Sequence, residues 1–256
     1  KKLLHFVICF CIIKGEEREE EIMGCNTGGF EFEQQVIDTL IAAGVCGTIT
    51  EGAGASAADA DADMMVNGVR HLIEVKKDAF AQMGGTSLKF DSDFEVVGKG
   101  VRTETVEAIC AEMDGKREAI KSLLDYIGAD SFPASCEKKV WDAARDEGLL
   151  VPVNTIVQQD AEFICEHYRK KGINYIQIGG AGLFHMGENP ANLPVPKLEG
   201  AINLEVRAGR SGSRKGKDGI ERVSGGLRVQ GRLQFDGKSN YTLESIESIK
   251  EMMKEV

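Results

Sequence analysis

The chain has 256 residues, 42% of them hydrophobic and 28% charged, enough for one large domain or two small ones with a true core. Its formal net charge of −10 excludes a protein that coats nucleic acid by bulk attraction, so any phosphate contact must be local. The seven cysteines, with only Cys9 and Cys11 closely spaced, form no zinc-ligand pattern and read as free thiols in a reducing compartment, which points to the cytoplasm.

The N-terminus begins Lys1-Lys2 followed by an apolar run from Leu3 to Ile13. That run is too short to span a bilayer, and no small-residue cleavage site follows it, so no membrane partner is expected. Next comes Gly-Glu-Glu-Arg-Glu-Glu-Glu-Ile before Met23, a stretch whose codons can be wholly purine, like a translated ribosome-binding region. Residues 1–22 are therefore read as a non-native upstream extension.

From Phe30 to Ala43, apolar Val36, Ile37, Leu40 and Ile41 recur at the spacing of one helical face. Gly44 closes this helix. Glu33 precedes Val36 by three and Ile37 by four, so it projects from the apolar stripe, whereas Glu31 lies off it. A carboxylate on an inward face wants a partner or a metal, although a first-turn acid is also favoured by the helix dipole.

Residues 61–76, Asp-Ala-Asp-Met-Met-Val-Asn-Gly-Val-Arg-His-Leu-Ile-Glu-Val-Lys, predict a tight β-hairpin. Asn67-Gly68 between two apolar-rich runs is the strongest short-range hairpin signal, since a two-residue turn needs positive φ at both positions. If Val66 pairs with Val69, Asp61 falls opposite Glu74 and Asp63 opposite Leu72. The two-residue period then puts Asp61, Asp63, Leu72, Glu74 and Lys76 on one face, with His71 on the other as a packing residue. Like charges so placed repel unless something answers them. A hard divalent cation is the natural answer, held by one or two carboxylates, waters and a backbone carbonyl such as that of Val75. Lys76 is then positioned to assist an attacking water or to neutralise a phosphoryl transition state.

The arrangement resembles the PD-(D/E)XK, or restriction-endonuclease-like, nuclease superfamily: an acid at the start of one strand, then Glu-X-Lys at the end of its hairpin partner, without the strict proline. The resemblance covers about the first hundred residues after Met23. It implies an α/β core with a central mixed sheet flanked by helices, Mg²⁺ (or Mn²⁺) as cofactor, and hydrolysis of DNA to 5′-phosphate and 3′-hydroxyl ends. It implies Asp63 and Glu74 as metal ligands with Asp61 a rival for the first role, Lys76 as the assisting lysine, and Glu33 as the glutamate supplied by the preceding helix. Gln82, in the polar glycine-containing stretch after Lys76, matches a glutamine that many members turn towards the site. The implied nuclease core is 23–103. Enzymes that cut both strands usually act as dimers, so a homodimer is one expected assembly.

Beyond the core, an extended run is expected around Leu88 to Phe90. Thr105 to Ile127, broken at Gly115, then Cys136 to Glu147 and Thr155 to Lys170 carry amphipathic helical patterns, making 104–172 a helical insertion with Trp141 as a core anchor. Ile173 to Ile178 reads as a buried strand with a hairpin partner after it. The glycines at 179, 180, 182 and 187 miss phosphate-loop spacing and read as turns.

From 173 to 256 a β-rich basic region is expected, ending in a helix around Leu243 to Met253. Arg207, Arg210, Arg214, Lys215, Arg228 and Arg232 lie on two strands joined by a glycine-serine loop, and are candidate phosphate contacts. The stretch from Gln177 to Arg214 resembles the C-terminal portion of phage and bacterial endonuclease-like proteins. The rival readings are a junction resolvase, a recombination or repair nuclease, and a non-catalytic DNA-binding or assembly protein.

Overall fold

The computed structural model of the chain describes residues 27–52, 60–90 and 103–256. The expected upstream extension, 1–22, with His5, Cys9 and Cys11, lies outside them.

Helix α1 (Thr27–Ala43) ends on Gly44, whose φ of +76° is the left-handed stop that glycine takes without strain. Val36, Ile37 and Leu40 are fully buried, each contributing roughly 1.5–3 kcal/mol of burial. Ile41, expected on the same face, is 47% exposed, so the apolar stripe is narrower than its spacing suggested. The stripe packs on a hairpin of β1 (Ala62–Val66) and β2 (Val69–Lys76). Asn67 and Gly68 both have positive φ, 51° and 78°, and the register runs from Val66 opposite Val69 to Ala62 opposite Ile73.

The chain then leaves this sheet for about a hundred residues. It forms β3 (Gln82–Leu88), α2 (Thr103–Asp114), α3 (Arg117–Ile127), β4 (Ala134–Glu137), α4 (Lys138–Asp146), β5 (Thr155–Asp160) and α5 (Glu162–Arg169). It returns as β6 (Ile173–Ile178), parallel to β2, and β7 (Gly182–His185), antiparallel to β6. The four-stranded mixed sheet has the order β1-β2-β6-β7. The long strands β8 (Ala201–Lys215) and β9 (Glu221–Gln234) build an antiparallel sheet of order β3-β9-β8-β5, with β4 pairing β9 beyond β3. Helix α6 (Ile246–Met252) closes the described chain against α1.

Both faces of the mixed sheet are covered. One, through Ala62, Met64, Ile73, Val75 and Tyr175, meets α1 and α6; the other, through Ile176 and Ile178, shares a larger core with the inner face of the antiparallel sheet and with α2–α5. Burial on both faces suits the parallel β2–β6 pair at its centre. The class is mixed α/β with helices flanking the sheets.

Three expected elements differ. Thr155–Lys170 is not one helix: its first six residues are β5, because the β-branched run Thr155-Ile156-Val157 pairs with β8 before the helical pattern starts. The expected helix from Cys136 is preceded by β4. The Gly-Ser segment 211–213 is no loop but a bulge inside β8, with Gly212 at φ +59°; the turn lies at 216–220. The 179–182 glycines do lie in a turn, between β6 and β7.

Trp141 on α4 is 2% exposed and meets Phe132 edge-on, ring centroids 6.4 Å apart. It lies flat against β9 at Gly225, where a Cβ would stand 2.1 Å from a ring carbon. Gly225→Ala is therefore expected to overpack the core by about 2 kcal/mol and to lower the melting temperature by about 4–8 °C, measurable by calorimetry.

Candidate active site

The register extends one residue beyond β1, to Asp61. Its carboxylate takes over the end of the ladder: the Val75 N–H donates to Asp61 Oδ2 at 2.8 Å. Asp61 and Glu74 are each 7% exposed, and the Lys76 ammonium lies between them, 2.5 Å from Glu74 Oε1 and 3.6 Å from Asp61 Oδ2. Lys76 also donates to the Val75 carbonyl at 3.1 Å. From α5, the Tyr168 hydroxyl donates to Glu74 Oε1 at 2.8 Å.

Glu33 reaches the same cluster from α1. Its Oε2 is buried and has no hydrogen-bond partner among the described residues, lying 3.4 Å from where a Cβ on Gly52 would stand. Gln34 holds that overlying segment, accepting from Gly52 N–H at 3.2 Å and donating to the Thr50 carbonyl at 3.4 Å.

Burial and mutual repulsion show in the titration of these acids. Glu33 is pushed up to about 7, by loss of water first and then by the charge of Asp61. Asp61 rises to about 6, again by burial first and then by Glu74. Burial acts against the Lys76 charge, but Glu74 and Asp61 outweigh it and hold the ammonium charged above its ordinary value.

Asp63, expected as a metal ligand, is occupied elsewhere. It is fully buried, roughly 7 Å further along β1. There it accepts from Thr48 N–H at 2.9 Å, the Thr48 hydroxyl at 3.2 Å and Ile49 N–H at 3.0 Å, and pairs with Arg70, diagonally across on β2. Burial would raise its pKa, but the two backbone N–H bonds and Arg70 bring it below the ordinary carboxylate value. Gly47 makes room, since a Cβ there would stand 2.3 Å from Asp63 Oδ2. Asp63 is thus a structural anchor for the 47–49 turn, and the first carboxylate of the cluster is Asp61.

The ends of β2, β6 and α1 meet beside the cluster. Gly179 N–H donates to the Lys76 carbonyl at 2.8 Å, and a Cβ on Gly179 would lie 2.0 Å from the Lys77 carbonyl oxygen and 3.0 Å from the Phe32 ring. His71, on the opposite face, meets Tyr175 edge-on at 5.9 Å as a packing residue.

The remaining candidates lie on the antiparallel sheet. Gln82 is exposed at the start of β3, in register with Arg232, and among the described residues no hydrogen bond joins it to the carboxylates. Arg207, Arg228 and Arg232 share the outer face, because the alternate residues Ile202, Leu204, Val206, Leu227, Val229 and Leu233 point into the core. Glu205, 7% exposed, pairs with Arg207 at 2.6 Å and Arg232 at 3.3 Å. Arg210 approaches Asp142 at 3.6 Å, and Arg228 donates to the Arg210 carbonyl at 3.2 Å. Arg214 and Lys215 stand exposed at the hairpin end, opposite Arg222 and Glu221. Among the described residues none of these six cations pairs with Glu33, Asp61 or Glu74. Arg232 touches the turn that follows Lys76, donating to the Phe80 carbonyl at 3.1 Å.

Tyr168 and the Thr48–Ile49 cradle carried no mark in the sequence. A buried tyrosine wants a hydroxyl partner, but nothing local names one 94 residues away.

Comparison with protein-family models, with curated proteins and with solved structures finds no match for this chain. Among the described residues no helix is long and apolar enough to cross a membrane. Nor do three or more His, Cys, Asp or Glu side chains form a ready-made metal-holding group there.

The raised acids set a pH dependence. Between the ordinary carboxylate value and about 7, the folded chain keeps a proton on Glu33 that the unfolded chain has lost, so stability falls as pH rises through that window. Asp61 adds the same sign up to about 6. Melting temperature without added metal is expected to drop from pH 5 to pH 8, and Glu33→Gln to flatten that drop, as read by scanning calorimetry.

Proposed function

We propose that the chain is a metal-dependent DNA endonuclease of the PD-(D/E)XK type, with Asp61, Glu74, Lys76 and Glu33 as its working residues. The observation that carries this reading is the juxtaposition, at one sheet end, of two buried carboxylates, one ammonium and a glutamate oxygen with no hydrogen-bond partner among the described residues. A structural ion pair needs one acid per lysine; this one faces three.

The donor set fits a hard divalent cation such as Mg²⁺. Asp61, Glu74 and the Val75 carbonyl offer oxygen only, and Glu33 Oε2 has no hydrogen-bond partner among the described residues, sharing the field of Lys76 with the other two acids. When bound, such a cation supplies charge against the developing phosphoryl anion and lowers the pKa of its water. Asp61 and Glu74 would hold it. Lys76, released from Glu74, would hold the attacking water or offset charge on the phosphoryl oxygens. Glu33, titrating near 7, is matched to accept a proton from that water at neutral pH. Tyr168 keeps the Glu74 carboxylate oriented.

One observation favours a second reading, a nuclease-like fold that binds DNA without cutting it: the Lys76 ammonium already neutralises the pair that would hold metal. Mg²⁺ titration calorimetry separates the two. The nuclease reading expects saturable binding that Asp61→Asn abolishes; a neutralised site takes up no metal.

The direct test is a panel of linear duplex, branched junction, flap and single-stranded DNA, with Mg²⁺ and with EDTA. Cleavage is expected with Mg²⁺ alone. Lys76→Ala and Asp61→Asn are each expected to reduce it at least about a hundredfold while sparing DNA binding. Undiminished cleavage by Lys76→Ala rules out the assignment.

A further inference from the structure

Between β2 and β3 the chain makes a short turn whose apolar residues are placed in an unusual order. Ala79 packs against the core, whereas Phe80, beside it, is 72% exposed among the described residues. Hydrophobic burial alone would favour the opposite arrangement, since a phenyl ring loses far more from water contact than a methyl group.

The backbone leaves little freedom to reverse it. Phe80 N–H donates to Asp78 Oδ1 at 2.8 Å, Ala81 N–H to the Asp78 carbonyl at 3.2 Å, and the Phe80 carbonyl accepts from Arg232 at 3.1 Å. The turn is thus tied on both sides of the ring. The Asp78 side chain is engaged in the turn itself, so it caps the backbone as well as adding charge.

The position of this ring gives it a use. It stands four residues beyond Lys76, within about 14 Å of it along the chain. Arg232, which ties it down, belongs to the outer sheet face that also carries Arg207 and Arg228. The chain thus runs from the carboxylate-ammonium cluster through an exposed aromatic residue whose carbonyl is held by a guanidinium of that face, and such a set matches what a polynucleotide needs: cations for successive phosphates and a flat apolar surface for one base.

The geometry points to Phe80 as a stacking platform for an unpaired nucleobase next to the phosphate at the Asp61–Glu74–Lys76 cluster, making the preferred substrate DNA with unpaired nucleotides at that point. This rests on the nuclease reading for the location of the phosphate. The ring itself recognises the base. A base inside a duplex has both faces covered by its neighbours and offers nothing to stack on, whereas a single strand, flap or frayed end offers a free π-face. Every base has one, so the preference is for strand state rather than sequence.

The experiment uses the full chain and two fluorescein-labelled probes, a short single strand and the blunt duplex of the same sequence, with anisotropy measured in EDTA so that binding is read without cleavage. Phe80→Ala is expected to weaken single-strand binding about tenfold while leaving duplex binding about unchanged. Phe80→Trp is expected to keep the affinity and to show indole quenching on the single strand, Trp141 being buried. Equal loss on both probes, no loss on either, or unquenched Phe80→Trp on a bound single strand overturns the inference. Cleavage of the same probes by the unaltered chain with Mg²⁺ is run in parallel. If they are cut but single-strand binding ignores residue 80, only the stacking role fails. If they are bound through Phe80 but neither is cut, the nuclease reading fails on these substrates and the base platform stands. Binding of neither probe overturns both.

Discussion

Lys76 makes its end of the hairpin tenable. Asp61 and Glu74 face one another across two strands with little access to water, and without an intervening cation their repulsion would act in a weakly screening interior. Removing one partner of such a buried group typically costs about 3–5 kcal/mol, because the others are left uncompensated. The ammonium answers two charges only in part. Glu33 stays raised, with no hydrogen-bond partner for its Oε2 among the described residues, and Asp61 stays raised as well. A site tuned only for stability would replace one acid by an amide; this one retains more carboxylate than its lysine neutralises.

Much of this was legible locally. Asn67-Gly68 specifies a two-residue turn, the turn specifies the register, and the register puts Asp61 opposite Glu74. Helix α1 and the inward placement of Glu33 followed from apolar spacing. The choice between Asp61 and Asp63 was not legible, because both share a face and differ in what the preceding loop offers. Residues 47–49 turn two N–H groups towards Asp63, and Arg70 reaches it diagonally, so its oxygens are spent before any metal is considered. No periodicity encodes that. The same limit hid β5, where three β-branched residues among six precede a real helix and the summed window looked helical throughout.

The basic stretch illustrates how charge counting misleads. Arg207 and Arg228 stand directly opposite one another, a pairing that repels, and the buried Glu205 offsets it by taking Arg207 and Arg232. The outer face is therefore less positive than its run of arginines suggests. What it gains is order, since guanidinium groups fixed by a carboxylate keep less side-chain freedom than free ones.

The parallel pairing of β2 with β6 carries a consequence for a chain still being synthesised. The hairpin up to Lys76 is local and closes within microseconds of becoming available. Its neighbour β6 and the Tyr168 hydroxyl emerge later, the tyrosine 94 residues after Glu74, a delay of about 5–20 s at ordinary translation rates. Through that interval β2 is an open sheet edge on the side away from β1, and Glu74 has no hydroxyl to orient it. Assembly of the cluster thus waits on the second half of the polypeptide, and a prematurely terminated fragment would carry the acids and the lysine without the strand and the hydroxyl that align them.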